Sequence, residues 1–367
     1  MLMEYFDTFA TNHQPYKGGP WCYEDGLVYR GLELLFKSTA EPRWLAHIHR
    51  LIAPQILEGP KLLGYDPDDY NIDNILPGRA LLFLYQTTGE ATYLQAANLL
   101  NQQLETHPRT KSNIYWHKGR YPWQVWLDGL YMGAPFQIEY GLVTGRDALV
   151  QDALDQVSAA MELTFVPQTG LYAHAYDEAR KQPWCDPETG HTKAHWARAV
   201  GWLALALVDI AALTSARQFA PLQPRATALF DEIARWRQPD GLWLQVMDQP
   251  QLAGNWTETS ASAMFCYALL RARELGIWHG ETDGLLAQVV KSALRPKAGG
   301  GYEMIRMCHV AGLGMYEGRF RDGTAEYYIS EDRVSDDTKG VGPLMMAVAA
   351  SLAGADKAPA LQRHGLL

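Results

Sequence analysis

The sequence has little of what marks a secreted or membrane-spanning protein. It has only four cysteines in 367 residues, widely spaced and without a C-x-x-C pair, which favours unpaired thiols in a reducing compartment. Its longest apolar stretch, "AVGWLALALVDIAAL", is interrupted by Asp209 and falls short of the roughly 18 to 20 residues that a membrane span needs. The first residues carry early acidic side chains and no basic segment, so we predict no signal peptide and expect a cytoplasmic protein.

Positive charge is also scarce. The sequence contains 32 lysines and arginines against 41 aspartates and glutamates, a formal net charge of -9, and has no basic run. This balance argues against nucleic acid or an anionic membrane as the main partner, although local cations could still bind a small acidic ligand.

Common cofactor and metal motifs are missing as well. The sequence contains no G-x-S-x-G, no phosphate-binding G-x-x-x-x-G-K-[ST] and no G-x-G-x-x-G. His191 and His195 stand four residues apart but without the glutamate of a zinc-binding H-E-x-x-H. We therefore expect neither a metal nor a cofactor.

What the sequence has in abundance is helical periodicity, while alternating strand patterns are almost absent. Amphipathic segments such as 41–57 and 91–107 alternate with segments that are apolar nearly all round, such as 198–213, and helices of the second kind are usually buried on all sides. Six apolar helices alternating with outer ones predict an all-α, (α/α)6 toroid formed by residues 1–367 as a single domain. The N-terminal segment would complete the sixth hairpin, and an open helical solenoid is the alternative.

Polar and aromatic residues gather where each predicted inner helix begins, for example in "WCYEDG", "YNIDN", "WLDG" and "HWARAVGW". Inner helices of a toroid run parallel, so these clusters should meet at one mouth of the ring. Helix capping accounts for the aspartates, serines and threonines but not for the tryptophans, histidines or arginines. With 12 tryptophans and 19 tyrosines available, the pattern favours a pocket for a small, anionic, polyhydroxylated ligand.

Two carboxylates stand out within these clusters. Asp128 lies in the apolar run "WQVWLDGLYM" and Asp73 in "NIDN", where it could also be an ordinary helix cap. If the two face each other, like-charge repulsion and partial burial would keep one protonated near neutral pH, as a general acid requires.

Several motifs, in order and over nearly the whole chain, resemble the unsaturated rhamnogalacturonyl hydrolases of glycoside hydrolase family 105: "WLDGLYMGAPF", "HAYDE", "HWARAVGWLALALVDI", "DGLWLQVMD", "TETSASAMFCYAL" and "KGVGP". The resemblance implies an (α/α)6 fold without metal or cofactor. It implies removal of a terminal 4,5-unsaturated galacturonyl residue by hydration of its enol ether, as part of pectin degradation. The substrate partner would be an unsaturated uronyl oligosaccharide.

The resemblance also implies roles for individual residues. Asp128 would be the acid/base, and Asp73 the second carboxylate that tunes it. The sugar-binding residues that it implies are His174, Arg198, Trp202, His117, Lys118 and Tyr23. Among these, the arginine would pair with the uronate carboxylate through its two-pronged geometry. The chain departs from the family pattern before the last helix, where Asp336 and Asp337 stand side by side.

Three functional hypotheses remain open at this stage. The first is the unsaturated uronyl hydrolase. The second is another toroidal enzyme, either an inverting glycosidase with a water between two carboxylates or a histidine-dependent sugar 2-epimerase. The third is a noncatalytic oligosaccharide-binding protein.

Overall fold

The computed structural model describes residues 1–59 and 61–353 and is dominated by α-helices. The α-helices are α1 (Leu2–Asn12), α2 (Tyr23–Thr39), α3 (Pro42–Ile52), α4 (Gly78–Thr88), α5 (Ala91–Thr106), α6 (Leu127–Thr144), α7 (Asp147–Thr164), α8 (Ala197–Leu213), α9 (Ala216–Phe219), α10 (Gln223–Arg235), α11 (Thr259–Glu274), α12 (Leu285–Ala293), α13 (Ala325–Ile329) and α14 (Thr338–Leu352). Short 3-10 helices cover Tyr16–Gly18, Ala53–Gln55, Pro67–Asp69 and Ile72–Ile75.

The apolar helices form a closed inner ring. Packing runs from α2 to α4, α6, α8, α11 and α14 and then back to α2. The helices α3, α5, α7, α10 and α12 pack outside them, and α1 lies against α3. This arrangement confirms the (α/α)6 toroid and excludes the open solenoid, because the first and last inner helices touch. Tyr5 of α1 also donates a hydrogen bond of 2.6 Å to Asp336, just before α14, so the N-terminal helix fills the gap in the outer layer.

The seam between α2 and α14 depends on glycine. A Cβ atom on Gly342 would lie 2.6 Å from the carbonyl oxygen of Leu27, and one on Gly31 would lie 2.8 Å from the Cβ of Met345. Because real Cβ atoms do not approach backbone that closely, a side chain at either position would push the helices apart. The two glycines therefore allow the ring to close.

Within the described residues, strands occur only in short antiparallel pairs, in agreement with their weak sequence pattern. They are β1 (Gln124–Trp126), β2 (Phe165–Val166), β3 (Leu171–Tyr172), β4 (Ala175–Asp177), β5 (Trp243–Leu244), β6 (Thr257–Glu258), β7 (Leu294–Pro296), β8 (Tyr302–Met304), β9 (Met307–Cys308), β10 (Gly314–Tyr316), β11 (Arg319–Arg321) and β12 (Arg333–Val334). The pairs are β1 with β4, β2 with β3, β5 with β6, β7 with β8, β9 with β12 and β10 with β11. Since β1 leads directly into α6 and β6 into α11, two of these strand pairs fix the points at which inner helices begin.

Charged residues are buried inside the ring between the inner helices. Asp209 of α8 accepts hydrogen bonds from Tyr267 at 2.6 Å and from Arg30 at 3.3 Å, and it also pairs with Arg79. The two arginines lower the pKa of Asp209 to about 2 despite its burial. This explains how a carboxylate is tolerated in the most apolar stretch of the sequence. Within residues 1–59 and 61–353, no helix is both long and apolar enough to cross a bilayer.

Candidate active site

A cleft of about 1050 Å³ opens where the inner helices begin. The residues around it come from the 3-10 turn and α2 near the N-terminus, from the segment before α4, from the approach to α6 and from the 310–321 segment. They are Lys17, Tyr23, Glu24, Asn71, Asp73, Asn74, His117, Lys118, Arg120, Tyr121, Trp126, Asp128, Met132, Val310, Ala311, Gly312, Leu313, Tyr316 and Arg321. Five of the eight predicted site residues, both carboxylates among them, therefore share one cleft.

Asp73 is an ion-paired carboxylate. Its Oδ2 lies 2.6 Å from the ammonium of Lys118 and its Oδ1 lies 3.7 Å from Nε2 of His117. Burial opposes ionisation, but Lys118 and His117 outweigh it and hold the pKa of Asp73 below its usual value. The capping role goes to Asn71, whose side chain accepts from the backbone N–H of Asp73 at 3.2 Å. Asp73 is therefore negatively charged and available to the cleft.

His117 is held in a stack of aromatic rings. Its ring centroid lies 4.4 Å from that of Trp126 and 6.3 Å from that of Tyr121, and the Tyr121 and Trp126 centroids are 5.2 Å apart, with all three rings nearly parallel. The backbone fixes the position as well, since the His117 N–H donates to Gln124 O at 2.8 Å and its carbonyl accepts from Ile72 at 3.2 Å. Burial lowers the pKa of His117 to about 4, although the Asp73 carboxylate acts in the opposite direction. The imidazole is therefore neutral at pH 7.

Asp128 is the second residue of α6 and has a side chain only 15% exposed. Its Oδ2 lies 3.1 Å from Nε2 of the completely buried His174, but the two are not aligned for a hydrogen bond. Neither atom has another hydrogen-bond partner within the described part of the chain. Contacts of this kind commonly tighten only when substrate binds. A small rotation of either side chain would align the pair.

The other nitrogen of His174 contacts a tyrosine that the sequence did not single out. The Tyr328 hydroxyl, on α13, lies 2.7 Å from His174 Nδ1. Burial raises the pKa of Tyr328 well above its ordinary value, so the hydroxyl keeps its proton. When Tyr328 donates to Nδ1, the ring carries its own proton on Nε2, the nitrogen that lies 3.1 Å from Asp128 Oδ2. The result is a chain from Tyr328 through His174 to Asp128.

Arg198, Trp202 and His174 lie behind the cleft surface. Arg198 donates to the carbonyl oxygen of Cys308 at 2.6 Å and to Ser260 Oγ at 3.1 Å, and it is 1% exposed. The Trp202 ring is equally buried and packs edge-on against Tyr23, with ring centroids 6.3 Å apart. Both residues support the walls of the cleft. The predicted contacts of these residues with a sugar stay predictions.

The corner formed by Asp336 and Asp337 has internal partners. Asp337 caps α14 by accepting from the Lys339 backbone at 2.9 Å, and it forms an ion pair with the ammonium of the same lysine at 2.8 Å. Asp336 accepts from Tyr5 and pairs with Lys297 at 2.8 Å. Both carboxylates are therefore engaged in contacts that hold α14 and the N-terminal helix in place.

Sequence reasoning missed Tyr328 and Arg321, because both lie in the long connection between α12 and α14 rather than at an inner-helix start. The only signal in the sequence was the length of that connection, since long ordered loops are often functional. In the described ranges, no three histidine, cysteine or acidic residues form a group suited to holding a metal ion.

Comparison with known proteins places the chain in a family. Residues 4–353 match the model of Glycosyl Hydrolase Family 88. A solved glycoside hydrolase from family 105 of C. acetobutylicum ATCC 824 is 32% identical, with a TM-score of 0.89 over 95% of this chain and 97% of the other.

Two relatives extend the comparison. Protein Atu3128 of Agrobacterium fabrum is 50% identical over 230 residues, which is 60% of this chain and 98% of that protein. The unsaturated rhamnogalacturonyl hydrolase YesR of Bacillus subtilis is 24% identical over 314 residues, which is 80% of this chain and 86% of YesR. The chain therefore belongs to the glycoside hydrolases that the family 88 model describes, and its likeness to the C. acetobutylicum enzyme over nearly its whole length assigns it to family 105.

Proposed function

We propose that the protein hydrolyses unsaturated uronyl oligosaccharides derived from rhamnogalacturonan, releasing the terminal 4,5-unsaturated galacturonyl residue. The observation that carries this proposal is Asp128, which borders the cleft while one of its oxygens faces only His174. YesR, an unsaturated rhamnogalacturonyl hydrolase related to this protein over most of the chain, supports the choice of substrate.

The proposed reaction is the addition of one water molecule across the C4–C5 double bond. Asp128 donates its proton to C4, and positive charge develops at C5 and the ring oxygen. A water molecule then bonds to C5 while the Asp128 carboxylate takes up one of its protons, which restores the acid. The C5 hemiketal opens to a ketone, and the C1 hemiacetal left behind releases the second sugar.

Asp73 and His174 prepare Asp128 for this role. Asp73 stays ionised through Lys118 and places a negative charge in the same cleft as Asp128. His174 Nε2–H stabilises the carboxylate that Asp128 becomes after the proton has left.

The remaining predicted residues form the walls that bind the sugar. In this proposal, His117 and Tyr23 contact the unsaturated ring from two sides of the cleft, and Lys118 contacts a hydroxyl or carboxylate beside Asp73. Arg198 and Trp202 support the cleft walls from the protein interior. The substrate would reach Arg198 only if one of the hydrogen bonds from its guanidinium to a carbonyl oxygen opened.

The test is to incubate the protein with an unsaturated disaccharide whose leaving sugar is rhamnose. Hydration removes the conjugated double bond, so ultraviolet absorbance should fall, and in heavy water one deuterium should enter at C4. A saturated disaccharide of the same linkage serves as the control. Release of sugar from the saturated compound with no absorbance change on the unsaturated one would instead indicate an ordinary inverting glycosidase.

A further inference from the structure

The 310–321 segment adds a wall to the cleft that none of the predicted site residues includes. Tyr316 and Arg321 belong to the β10–β11 hairpin, in which Gly314 pairs with Arg321 and Tyr316 with Arg319. Alternate residues of a strand point to one face, so Tyr316 and Arg321 lie on the same side of the hairpin. Both border the cleft.

The hairpin is anchored to the aromatic wall beside Asp128. Leu313, just before β10, packs in a small apolar cluster with Trp126, Trp184 and Cys185. The Gly312 N–H donates to the Tyr327 hydroxyl at 3.0 Å. These contacts fix the hairpin relative to the residues that hold His117.

Arg321 is a mostly buried cation without a counterion. It is 9% exposed, and within the two described ranges its guanidinium has neither a carboxylate within ion-pair distance nor a hydrogen-bond acceptor. Its guanidinium carbon lies 4.1 Å from the centroid of the Tyr316 ring, which keeps the planar group in one orientation. Since none of its nitrogens is both fully buried and without a partner, the guanidinium stays hydrated from the cleft, and an anionic group of a ligand can replace that water.

The other cations of the cleft are occupied or solvated. Lys118 is paired with Asp73 at 2.6 Å, and Lys17 with Glu24 at 2.8 Å. Arg120 is exposed to water at the rim. Arg321 is thus the cleft cation best prepared to receive an anion from the substrate.

The space beside the guanidinium is kept open by a glycine. A Cβ atom on Gly312 would lie 2.9 Å from Arg321 Nη1 and 3.8 Å from the Trp126 ring. A methyl group there would displace the flexible end of the arginine without blocking the backbone. Arg321 and Trp126 therefore border the same small volume above Gly312.

We infer that Arg321, oriented by Tyr316 and given room by Gly312, binds a carboxylate of the substrate and so determines its specificity. The inference rests on the proposed function, because it assumes an acidic oligosaccharide in this cleft. The carboxylate belongs either to the unsaturated ring or to an acidic leaving sugar. A planar, two-pronged cation stacked on an aromatic ring suits either source.

The test compares two unsaturated disaccharides, one with rhamnose and one with galacturonic acid as the leaving sugar. For Arg321→Gln, KM should rise about tenfold or more while kcat changes little, as expected for loss of a charge-assisted hydrogen-bonded pair. A rise on both substrates assigns the carboxylate to the unsaturated ring, and a rise on the galacturonate substrate alone assigns it to the leaving sugar. Unchanged KM on both overturns the inference.

Further variants separate charge from geometry. Arg321→Lys keeps the charge but loses the fork, and Gly312→Ala keeps the arginine but displaces it, so both should raise KM on the same substrate as Arg321→Gln. The matched control is Arg319→Gln on the same strand, whose side chain is half exposed and bonded to Ser330 at 2.6 Å. Its KM should equal that of the wild type.

Turnover by the wild-type protein separates a failure of the proposed function from a failure of the role assigned to Arg321. If the wild type hydrates neither substrate, the proposed function fails. If it is active and the Arg321 variants are indistinguishable from it, only the role of Arg321 fails. Titration calorimetry with Asp128→Asn, alone and combined with Arg321→Gln, measures the same contact as a binding constant without turnover.

Discussion

Replacing Tyr328 by phenylalanine should slow the reaction although residue 328 never touches the substrate. The change removes one hydroxyl, which lies 2.7 Å from His174 Nδ1 at a completely buried position. His174 would then have no group to hold its proton on Nε2. The alternative tautomer would direct a lone pair at the Asp128 carboxylate that forms once the proton has left.

The size of the effect follows from the cost of an unpaired buried acceptor. Leaving such a group unsatisfied costs about 1 to 3 kcal/mol. If the whole penalty falls on the transition state, kcat drops about 5- to 150-fold. KM should change little, because the hydroxyl lies behind His174 and does not border the cleft.

The assay is the initial rate of absorbance loss, measured from pH 5 to pH 9 for both proteins. A role in positioning predicts a changed pH profile as well as a lower kcat, since the preferred His174 tautomer affects how Asp128 gives up its proton. Tyr267→Phe is the matched control, because its buried hydroxyl bonds to Asp209 at 2.6 Å in the interior of the ring. An unchanged kcat and pH profile in a folded Tyr328→Phe protein would show that Tyr328 does not position His174.

Three further outcomes are expected. Asp128→Asn should abolish turnover yet still bind the unsaturated disaccharide in calorimetry, and near-normal turnover would remove Asp128 from its role. Asp209→Asn should lower the free energy of unfolding by about 3 to 5 kcal/mol, since it leaves two buried arginines without their shared partner; urea denaturation measures this, with activity of the folded fraction unchanged. Burial lowers the pKa of His107 and of His117 to about 4, so the unfolded chain binds more protons than the folded one below its ordinary histidine pKa of about 6.5. The melting temperature should therefore fall as the pH drops from about 6.5 to about 4, and His107→Gln should weaken that dependence.

The sequence predicted the fold well because buried helices have apolar side chains on all faces, and this pattern is visible in the sequence. A helix such as α8, with apolar residues all round, can only be surrounded by protein, and alternation with amphipathic helices then implies two layers. The prediction that polar clusters meet where the inner helices begin followed from the parallel direction of those helices. It brought Tyr23, Asp73 and Asp128 correctly to one cleft.

The finer contacts of the site could not be read in the same way. Arg198 stands where the family motif predicts a sugar-binding arginine, yet its guanidinium donates hydrogen bonds to the carbonyl oxygens of Cys308 and His309. The periodicity of the sequence does not reveal these partners. Tyr328 and Arg321 reach the site through a connection whose path depends on tertiary contacts. The partner of Asp73 was equally hidden, because Lys118 is brought to it by a single β-bridge between Asn71 and Lys118.

The seam between α2 and α14 joins two segments from near opposite ends of the polypeptide. During synthesis, the earlier inner helices must therefore leave the ribosome with one apolar flank uncovered until the last of them emerges. Native contacts between residues so far apart in the chain slow folding, and the partly folded states expose apolar surface that can aggregate. Truncation before residue 352 should consequently yield aggregates rather than a smaller working enzyme.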